Sequence, residues 1–174
     1  MFFLRDLPTD KSLHEFSARY PNMNPSALKT CAELLRTGSD LLSAFENILG
    51  RSGLSQGRFL TLIVMNRTPN EEIYPSTLAN KLGVKRATMS GLLDRLAKDG
   101  LIERRAHSQD RRKIGVRLTA GGRQILADML PEYYRHIARL MAFLTEGERQ
   151  DLVSLLKKVN QGLSYLIDEQ TQTI

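Results

Sequence analysis

Apolar residues recur at helical spacing in two short segments between residues 76 and 100, and a glycine follows each segment. They are Leu78, Ala79 and Leu82 before Gly83, and Met89, Leu92, Leu93 and Leu96 before Gly100. A glycine just after the last apolar position is typical of a helix C-terminus. The pattern therefore predicts a helix-turn-helix, with a second helix over about residues 86–99.

After Gly100 the apolar spacing changes from that of helices to that of strands. Residues 101–105 and 113–118 have the pattern of two strands, joined by a polar, basic loop over residues 107–112. A helix-turn-helix followed by such a hairpin is a winged helix. We therefore predict a mainly α fold with a small β-hairpin wing.

A long helix is predicted upstream, because Asn24 is a good N-cap residue and Pro25 suits the first helical position. It should run to about Leu49. Its apolar stripe consists of Leu28, Cys31, Leu35, Gly38, Leu42, Phe45 and Leu49, widened by Leu34, Leu41 and Ile48. So broad a stripe favours packing against a second chain, and an ordinary core helix is the alternative.

Two more helices are predicted after the wing. Thr119 should cap the first, in which Pro131 should cause a kink or an interruption. Thr145 and Glu148 have the spacing of a capping box that begins the last helix. The residues of this helix expected to face inward are Leu152, Leu155, Leu156, Val159, Leu163, Leu166 and Ile167.

At the N-terminus, the capping-box spacing of Ser12 and Glu15 predicts one short helix, ended by Pro21. Leu13, Phe16 and Tyr20 would form its apolar edge. Whether this extension covers a dimer or extends away from it stays open.

Composition adds limits on the class of protein. The 174 residues are 41% hydrophobic and 25% charged, as in ordinary globular chains. No apolar run reaches the ~18–20 residues of a membrane helix, and the start lacks the features of a secretory signal. The single cysteine, Cys31, cannot form an internal disulfide, which suits a reducing compartment. We therefore predict a cytoplasmic protein that does not engage membranes.

Positive charge is concentrated in the predicted winged helix. Between Lys81 and Arg117 there are 11 Lys/Arg and 4 Asp/Glu, a formal charge of +7, whereas the whole chain carries +6. A basic face on a helix-turn-helix indicates phosphate binding and therefore double-stranded DNA. A basic winged helix used for protein contacts or for non-specific DNA packaging is the alternative.

The same residues resemble the MarR family of bacterial winged-helix transcription regulators. The resemblance covers about residues 30–165. It is carried by Ala87 to Leu96, Gly100 to Arg104, Asp110 to Arg112, Leu118 to Gly122 and Leu54 to Phe59. It implies a homodimer in which the terminal helices of two chains interlock. The two second helices would then lie about one DNA turn apart, ~34–36 Å, and contact a pseudo-palindromic operator.

The predicted organisation has four parts. Residues 1–24 are an N-terminal extension, residues 25–53 a dimerisation helix, and residues 54–119 the DNA-binding winged helix-turn-helix. Residues 120–174 supply further dimerisation helices.

The DNA-contacting residues of the second helix should lie at its N-terminal end, which meets base edges in this motif. Arg86 is the candidate for guanine O6 and N7, Lys85 for phosphate, and Thr88 and Ser90 for either phosphate or base edges. Some relatives carry Arg where Gly91 stands, so the operator sequence does not transfer.

In the wing, the resemblance assigns Arg112 to the minor groove and Asp110 to an ion pair that fixes the loop. A narrow A·T minor groove attracts a guanidinium, which fits this assignment. Arg111 and Lys113 would add phosphate contacts. Asp110 as a plain Asx-turn residue is the alternative.

The signal that such a regulator senses has two candidate sites. A small aromatic or phenolic effector could bind in a cleft with Arg58 as an anion clamp, joined by His14, Tyr133 or Tyr134. The alternative is that Arg58 forms a salt bridge within the fold and that the tyrosines pack in the dimer. Alternatively Cys31 resembles the lone cysteine of the organic-peroxide-sensing branch of the family. No cation except Lys29 stands beside it in its helix, and a cysteine in an apolar stripe is more often a small hydrophobe.

The sequence does not predict an enzyme. The three histidines are scattered, and there is no phosphate-binding glycine loop, metal-ligand spacing or paired-carboxylate signature. We therefore predict no catalytic residues, no metal site and no cofactor.

Overall fold

The computed structural model describes residues 6–106 and 114–171, with side chains described for residues 6–105 and 114–165. It is mostly helical, with one two-stranded antiparallel sheet, as the sequence predicted. The elements are α1 (Asp10–Arg19), α2 (Pro25–Gly50), α3 (Gln56–Met65), α4 (Pro75–Leu82), α5 (Arg86–Lys98), β1 (Ile102–Ala106), β2 (Ile114–Leu118), α6 (Ala120–Met141) and α7 (Glu146–Thr171). They form two compact units, Met1–Leu126 and Ala127–Ile174.

The helix starts follow the capping residues in the sequence. The Asn24 side chain accepts from the N–H of Ala27 at 3.0 Å, and Ser55 does the same for Arg58 at 3.4 Å. Each satisfies one amide that the first helical turn leaves unpaired. Before α7, Thr145 Oγ1 accepts from the N–H of Glu148 at 3.3 Å, and Glu148 accepts from the N–H of Thr145 at 2.7 Å. This is the predicted capping box.

The prediction for α1 was wrong at its start. Thr9, not Ser12, is the N-cap, and its side chain accepts from the N–H of Ser12 at 3.2 Å. The helix therefore begins at Asp10. Only Leu13 of its apolar edge is buried, whereas Phe16 and Tyr20 are 43% and 60% exposed.

The core of Met1–Leu126 forms where α3, α4 and α5 pack together and against the sheet. Its fully buried side chains include Phe59, Leu62, Leu78, Met89, Leu93, Leu96 and Val116. Thr61 is the buried polar residue of this core, and its hydroxyl donates to Gly57 O at 2.7 Å. Because that hydroxyl has an acceptor, its burial leaves no donor unpaired.

The sheet pairs Ile102 with Leu118 and Ala106 with Ile114. The segment before α4, residues 66–74, has the sequence pattern of a loop. One of its residues, Ile73, nevertheless pairs with β2 through an isolated antiparallel bridge. Ile73 N–H donates to Val116 O at 3.0 Å, and Val116 N–H donates to Ile73 O at 2.9 Å. One buried apolar residue within a polar loop carries too little periodicity to predict a strand pairing.

Two predictions for the C-terminal helices were wrong in part or in full. The interruption predicted at Pro131 is absent, because α6 continues as one helix from Ala120 to Met141, and the alternative of a kink stays a prediction. The apolar residues of α7 do not face inward within the described chain, since Leu152, Leu155, Leu156, Val159 and Leu163 are 39–58% exposed. Leu166 and Ile167 fall where side chains are not described. The apolar stripe of α2 is exposed in the same way at Leu28, Leu34, Leu35 and Leu42.

Candidate nucleic-acid interface

The second helix of the helix-turn-helix, α5, has two faces of opposite character. Met89, Leu93 and Leu96 are at most 1% exposed and fix the inner face in the core. The residues proposed to contact DNA, Arg86, Thr88 and Ser90, are all exposed, as is Lys85 directly before them. The structure therefore brings these four predicted residues together on the solvent side of one helix end.

The N-terminus of α5 carries positive charge at the end where a helix favours negative charge. Lys85 is the N-cap residue, Arg86 is the first helical residue, and no side chain caps the helix start. Cations here oppose the helix dipole, so helix stability does not explain them. Amide N–H groups at a helix start are good ligands for an anion, and phosphate satisfies both the amides and the cations.

Several cations of the basic stretch are not neutralised by the chain itself. Arg104 pairs with Asp94 at 2.5 Å and Arg105 with Glu103 at 2.7 Å. Within residues 6–105 and 114–165, none of the exposed residues Lys81, Lys85, Arg86, Arg95 and Lys98 forms an ion pair. These cations are available to phosphates. Asp94 pairs with Arg104 of β1 and so does not neutralise Arg95, the next residue along α5.

The predicted wing residues Asp110, Arg111, Arg112 and Lys113 lie outside the described residues. The strands on either side of them are described, and Ile114, where β2 begins, is 48% exposed.

A threonine joins the end of α5 to the start of α6. Thr119 Oγ1 donates to Gly100 O at 2.7 Å and accepts from the N–H of Gly122 at 3.0 Å. The N–H of Thr119 donates to Leu101 O at 3.2 Å. The residue predicted as a helix cap therefore also fixes the chain just after α5.

Arg58, predicted as an anion clamp for an effector, already has a carboxylate partner. Its Nη2 pairs with Asp99 Oδ2, and its Nη1 donates to Gly53 O at 3.1 Å. The side chain is only 13% exposed, and its Nε is buried with no acceptor in the described part of the chain.

The other predicted effector residues occupy separate places. His14 is exposed and lines a cavity of about 350 Å³ with residues of α1 and α2 that include Asp10 and Lys29, and Arg58 is not among the lining residues. In the second unit, the rings of Tyr133 and Tyr134 meet edge to face, with centroids 5.9 Å apart. Partial burial, and then Tyr134, raise the pKa of Tyr133. Cys31 is exposed on α2.

Sequence reasoning did not identify the partners in the ion pairs that attach α5 to its neighbours, Arg58 with Asp99 and Arg104 with Asp94. One signal was available. An acidic residue such as Asp99 at a helix C-terminus opposes the helix dipole, and this indicates a tertiary partner. Nothing in the linear pattern identifies that partner as Arg58, because the two residues are 41 positions apart.

The helix-turn-helix, the hairpin and the exposed basic helix end define a winged helix-turn-helix protein. The sequence profile described as "MarR family" matches residues 54–114. The HTH-type transcriptional repressor YetL of Bacillus subtilis is 31% identical over 95% of this chain and 99% of its own length. The transcriptional repressor MprA of Escherichia coli K12 is 31% identical over 74% of this chain and 73% of its own.

Among solved structures, the Staphylococcus aureus MepR–DNA complex superposes with a TM-score of 0.68. It has 19% identity and covers 76% of this chain and 95% of that chain. The chain belongs to the MarR family of DNA-binding transcriptional regulators. Its relatives and its fold are those of regulators and not of enzymes. No helix in the described part of the chain is long and apolar enough to cross a membrane.

Proposed function

We propose that this chain is a repressor that binds a pseudo-palindromic operator as a homodimer and is released by a small phenolic or aromatic ligand. The observation that carries the DNA-binding assignment is the N-terminal end of α5, where Lys85, Arg86, Thr88 and Ser90 are all exposed while an apolar face of the same helix is buried in the core. In the proposed mode Arg86 contacts guanine, Thr88 and Ser90 contact bases or phosphates, and Lys85 contacts phosphate. Arg112 enters the minor groove beside phosphate contacts from Arg111 and Lys113, while Asp110 fixes the wing.

The proposed dimer uses residues 25–53 and 120–174, and residues 54–119 bind DNA. Exposed apolar side chains on α2 and on α7 support this division, because contiguous exposed apolar surface usually marks an interface. The 31% identity to a repressor over nearly the whole chain supports the regulatory role.

Candidate contacts for the proposed effector are Arg58, His14, Tyr133 and Tyr134, each taken by itself and not as one pocket. The edge-to-face pair of half-buried Tyr133 and exposed Tyr134 supports an aromatic ligand. Because Arg58 is paired with Asp99, an anionic effector at this arginine has to compete with that carboxylate. A peroxide sensor is the second candidate, and the exposure of Cys31 favours it. There the hydroperoxide would oxidise the thiolate to a sulfenic acid and would itself be reduced to the alcohol.

The test is a fluorescence-anisotropy titration of the protein onto a duplex from upstream of its own gene and onto a scrambled duplex. We expect the upstream duplex to bind at least ~10³-fold tighter, as specific regulators do. Arg86→Ala should weaken specific binding by about 1–3 kcal/mol. The matched control Arg51→Ala removes an exposed arginine outside the basic stretch and should leave it unchanged. Equal binding to both duplexes would contradict specific repression of its own upstream region and would favour non-specific packaging.

The signal is tested by repeating the titration with phenolic and aromatic carboxylates, and after treatment with an organic hydroperoxide. Release by a ligand that is retained in Cys31→Ser supports the aromatic effector. Release by hydroperoxide that Cys31→Ser abolishes identifies the thiol sensor instead.

A further inference from the structure

The C-terminal end of α5 is held by a guanidinium that contacts three parts of the fold. Arg58 projects from the first turn of α3, pairs with Asp99 at the end of α5, and donates to Gly53 O in the turn that follows α2. One side chain therefore connects the end of the long N-terminal helix to the end of the DNA-binding helix.

The burial of the two partners is unequal. The Arg58 side chain is 13% exposed and the Asp99 side chain 45% exposed. A guanidinium this deeply buried needs a compensating charge, whereas a half-exposed carboxylate does not. Asp99 also sits at a helix C-terminus, where the helix dipole disfavours a carboxylate. Its position is thus explained by Arg58 and not by the stability of α5 itself.

The ion pair of Arg58 with Asp99 constrains the orientation of α5, which the apolar contacts of this helix do not fix by themselves. Met89, Leu93 and Leu96 bury one face, but apolar contacts are non-directional. The neighbouring residue Gly57 faces Leu92, because a Cβ at Gly57 would stand 3.1 Å from Leu92 Cδ2. The first turn of α3 therefore contacts α5 both at its middle and at its end, and two contact points define the angle of a helix.

The distance along α5 amplifies any error in that angle. Arg86 lies 13 residues before Asp99, which is about 20 Å at 1.5 Å per residue. A tilt of about 5° at Asp99 moves Arg86 by about 1.7 Å, enough to break a bidentate contact to a base edge.

We propose that Arg58 and Asp99 are positioning residues for DNA recognition, which set the angle of α5 and link it to the end of α2. This rests on the proposed operator binding. The pair acts through α5 and need not itself contact DNA.

The experiment compares Asp99→Ala, Asp99→Asn and Asp99→Glu with the wild type on the upstream and scrambled duplexes, with far-UV circular dichroism at the assay temperature. Removing an acidic residue from a DNA-binding domain should strengthen binding to both duplexes if charge alone matters. A positioning role predicts instead that Asp99→Ala lowers the affinity for the upstream duplex about tenfold. Asp99→Glu should recover most of it. Glu71→Ala is the matched control, since it removes the same charge from an exposed loop residue.

Amide hydrogen exchange without DNA gives an independent measure. Asp99→Ala should speed exchange in residues 51–55 as well as 95–100, because Arg58 then holds neither segment firmly. The proposal would be overturned if Asp99→Ala and the isosteric Asp99→Asn left the affinity for the upstream duplex unchanged or raised it, as expected for Glu71→Ala. So would faster exchange confined to residues 95–100. A wild type that does not discriminate between the duplexes overturns the proposed function instead, and the exchange result then decides the coupling separately.

Discussion

Gly122 lies against the backbone carbonyl of Leu101 so closely that a Cβ at this position would overlap the carbonyl oxygen and stand 3.1 Å from Leu118 Cδ2. The first turn of α6 therefore packs directly on the chain that links α5 to β1. Only a residue without a side chain permits this approach. Thr119 caps the start of α6 and also holds the chain just before β1, so the starts of these two elements are fixed together.

We predict that Gly122→Ala destabilises the protein by about 1–3 kcal/mol, because backbone atoms cannot move aside as a flexible side chain can. At about 2–4 °C per kcal/mol for a chain of this size, thermal unfolding should show a clear drop in Tm. Gly147→Ala is the matched control. No atom lies within 4 Å of a Cβ there, so its Tm should be unchanged or slightly raised. Equal Tm changes in the two variants would contradict the packing explanation.

The proposed wing contact predicts a specific change in salt dependence. Arg112→Ala should weaken operator binding by about 1–3 kcal/mol and reduce the slope of log K against log[salt] by about one. Anisotropy titrations at salt concentrations from about 50 to about 200 mM measure both the affinity and the slope. Unchanged affinity together with an unchanged slope would refute the minor-groove assignment of Arg112.

The exposed apolar side chains of α7 predict an interface mutant. Leu155 is 58% exposed in the single chain, and Leu155→Glu would place a charge in the proposed dimer core. We expect a shift from dimer to monomer in sedimentation velocity, with loss of operator binding. Lys157→Glu is the control, because Lys157 lies two residues after Leu155, about 200° around the helix and so on its opposite side. A dimer that survives Leu155→Glu would exclude this part of α7 from the interface.

The capping box of α7 predicts a pH effect that one substitution should remove. Hydrogen bonds from the backbone and side chain of Thr145 lower the pKa of Glu148 below its usual value of 4.5. A lowered folded-state pKa means that the stabilisation is present above the unfolded value and is lost as pH falls through the folded value.

Helical content and Tm, followed by circular dichroism from pH 7 to about 3, should therefore decline at the acid end. Glu148→Gln keeps an acceptor for the Thr145 N–H and should show a smaller decline. Glu146→Gln is an imperfect match, because hydrogen bonds from Arg149 and Gln150 lower the pKa of Glu146 as well. Asp151→Asn, which lies beyond the first turn, is the cleaner control. An acid-end decline in Glu148→Gln that equals that of the wild type would contradict the capping explanation.

Local sequence signals predicted most of the fold. Asn24, Thr119 and Thr145 each cap the predicted helix, because a side-chain acceptor within three residues of a free amide acts without help from distant parts of the chain. The same holds for the end of α4 at Gly83, where φ is 63°. The start of α1 was missed because Thr9 and Ser12 have equivalent side chains three positions apart, and the pattern does not choose between them.

The exposure of the start of α5 was also predictable, because the buried residues Met89, Leu93 and Leu96 begin only in its second turn and Arg86, Thr88 and Ser90 lie near its N-terminal end. Contacts between distant residues were not. Three such contacts join residues many positions apart: the pairing of Ile73 with Val116, the ion pair of Arg58 with Asp99, and the close approach of Gly122 to Leu101.

The sequence by itself therefore determined most of the elements, most of their caps and the exposed, positively charged start of α5, because these follow from interactions within one or two turns of chain. Only the tertiary structure decided that Arg58 pairs with Asp99 and that the described apolar residues of α7 remain exposed in one chain. Both depend on which surfaces meet after the elements pack, and neither helical period nor composition encodes that choice.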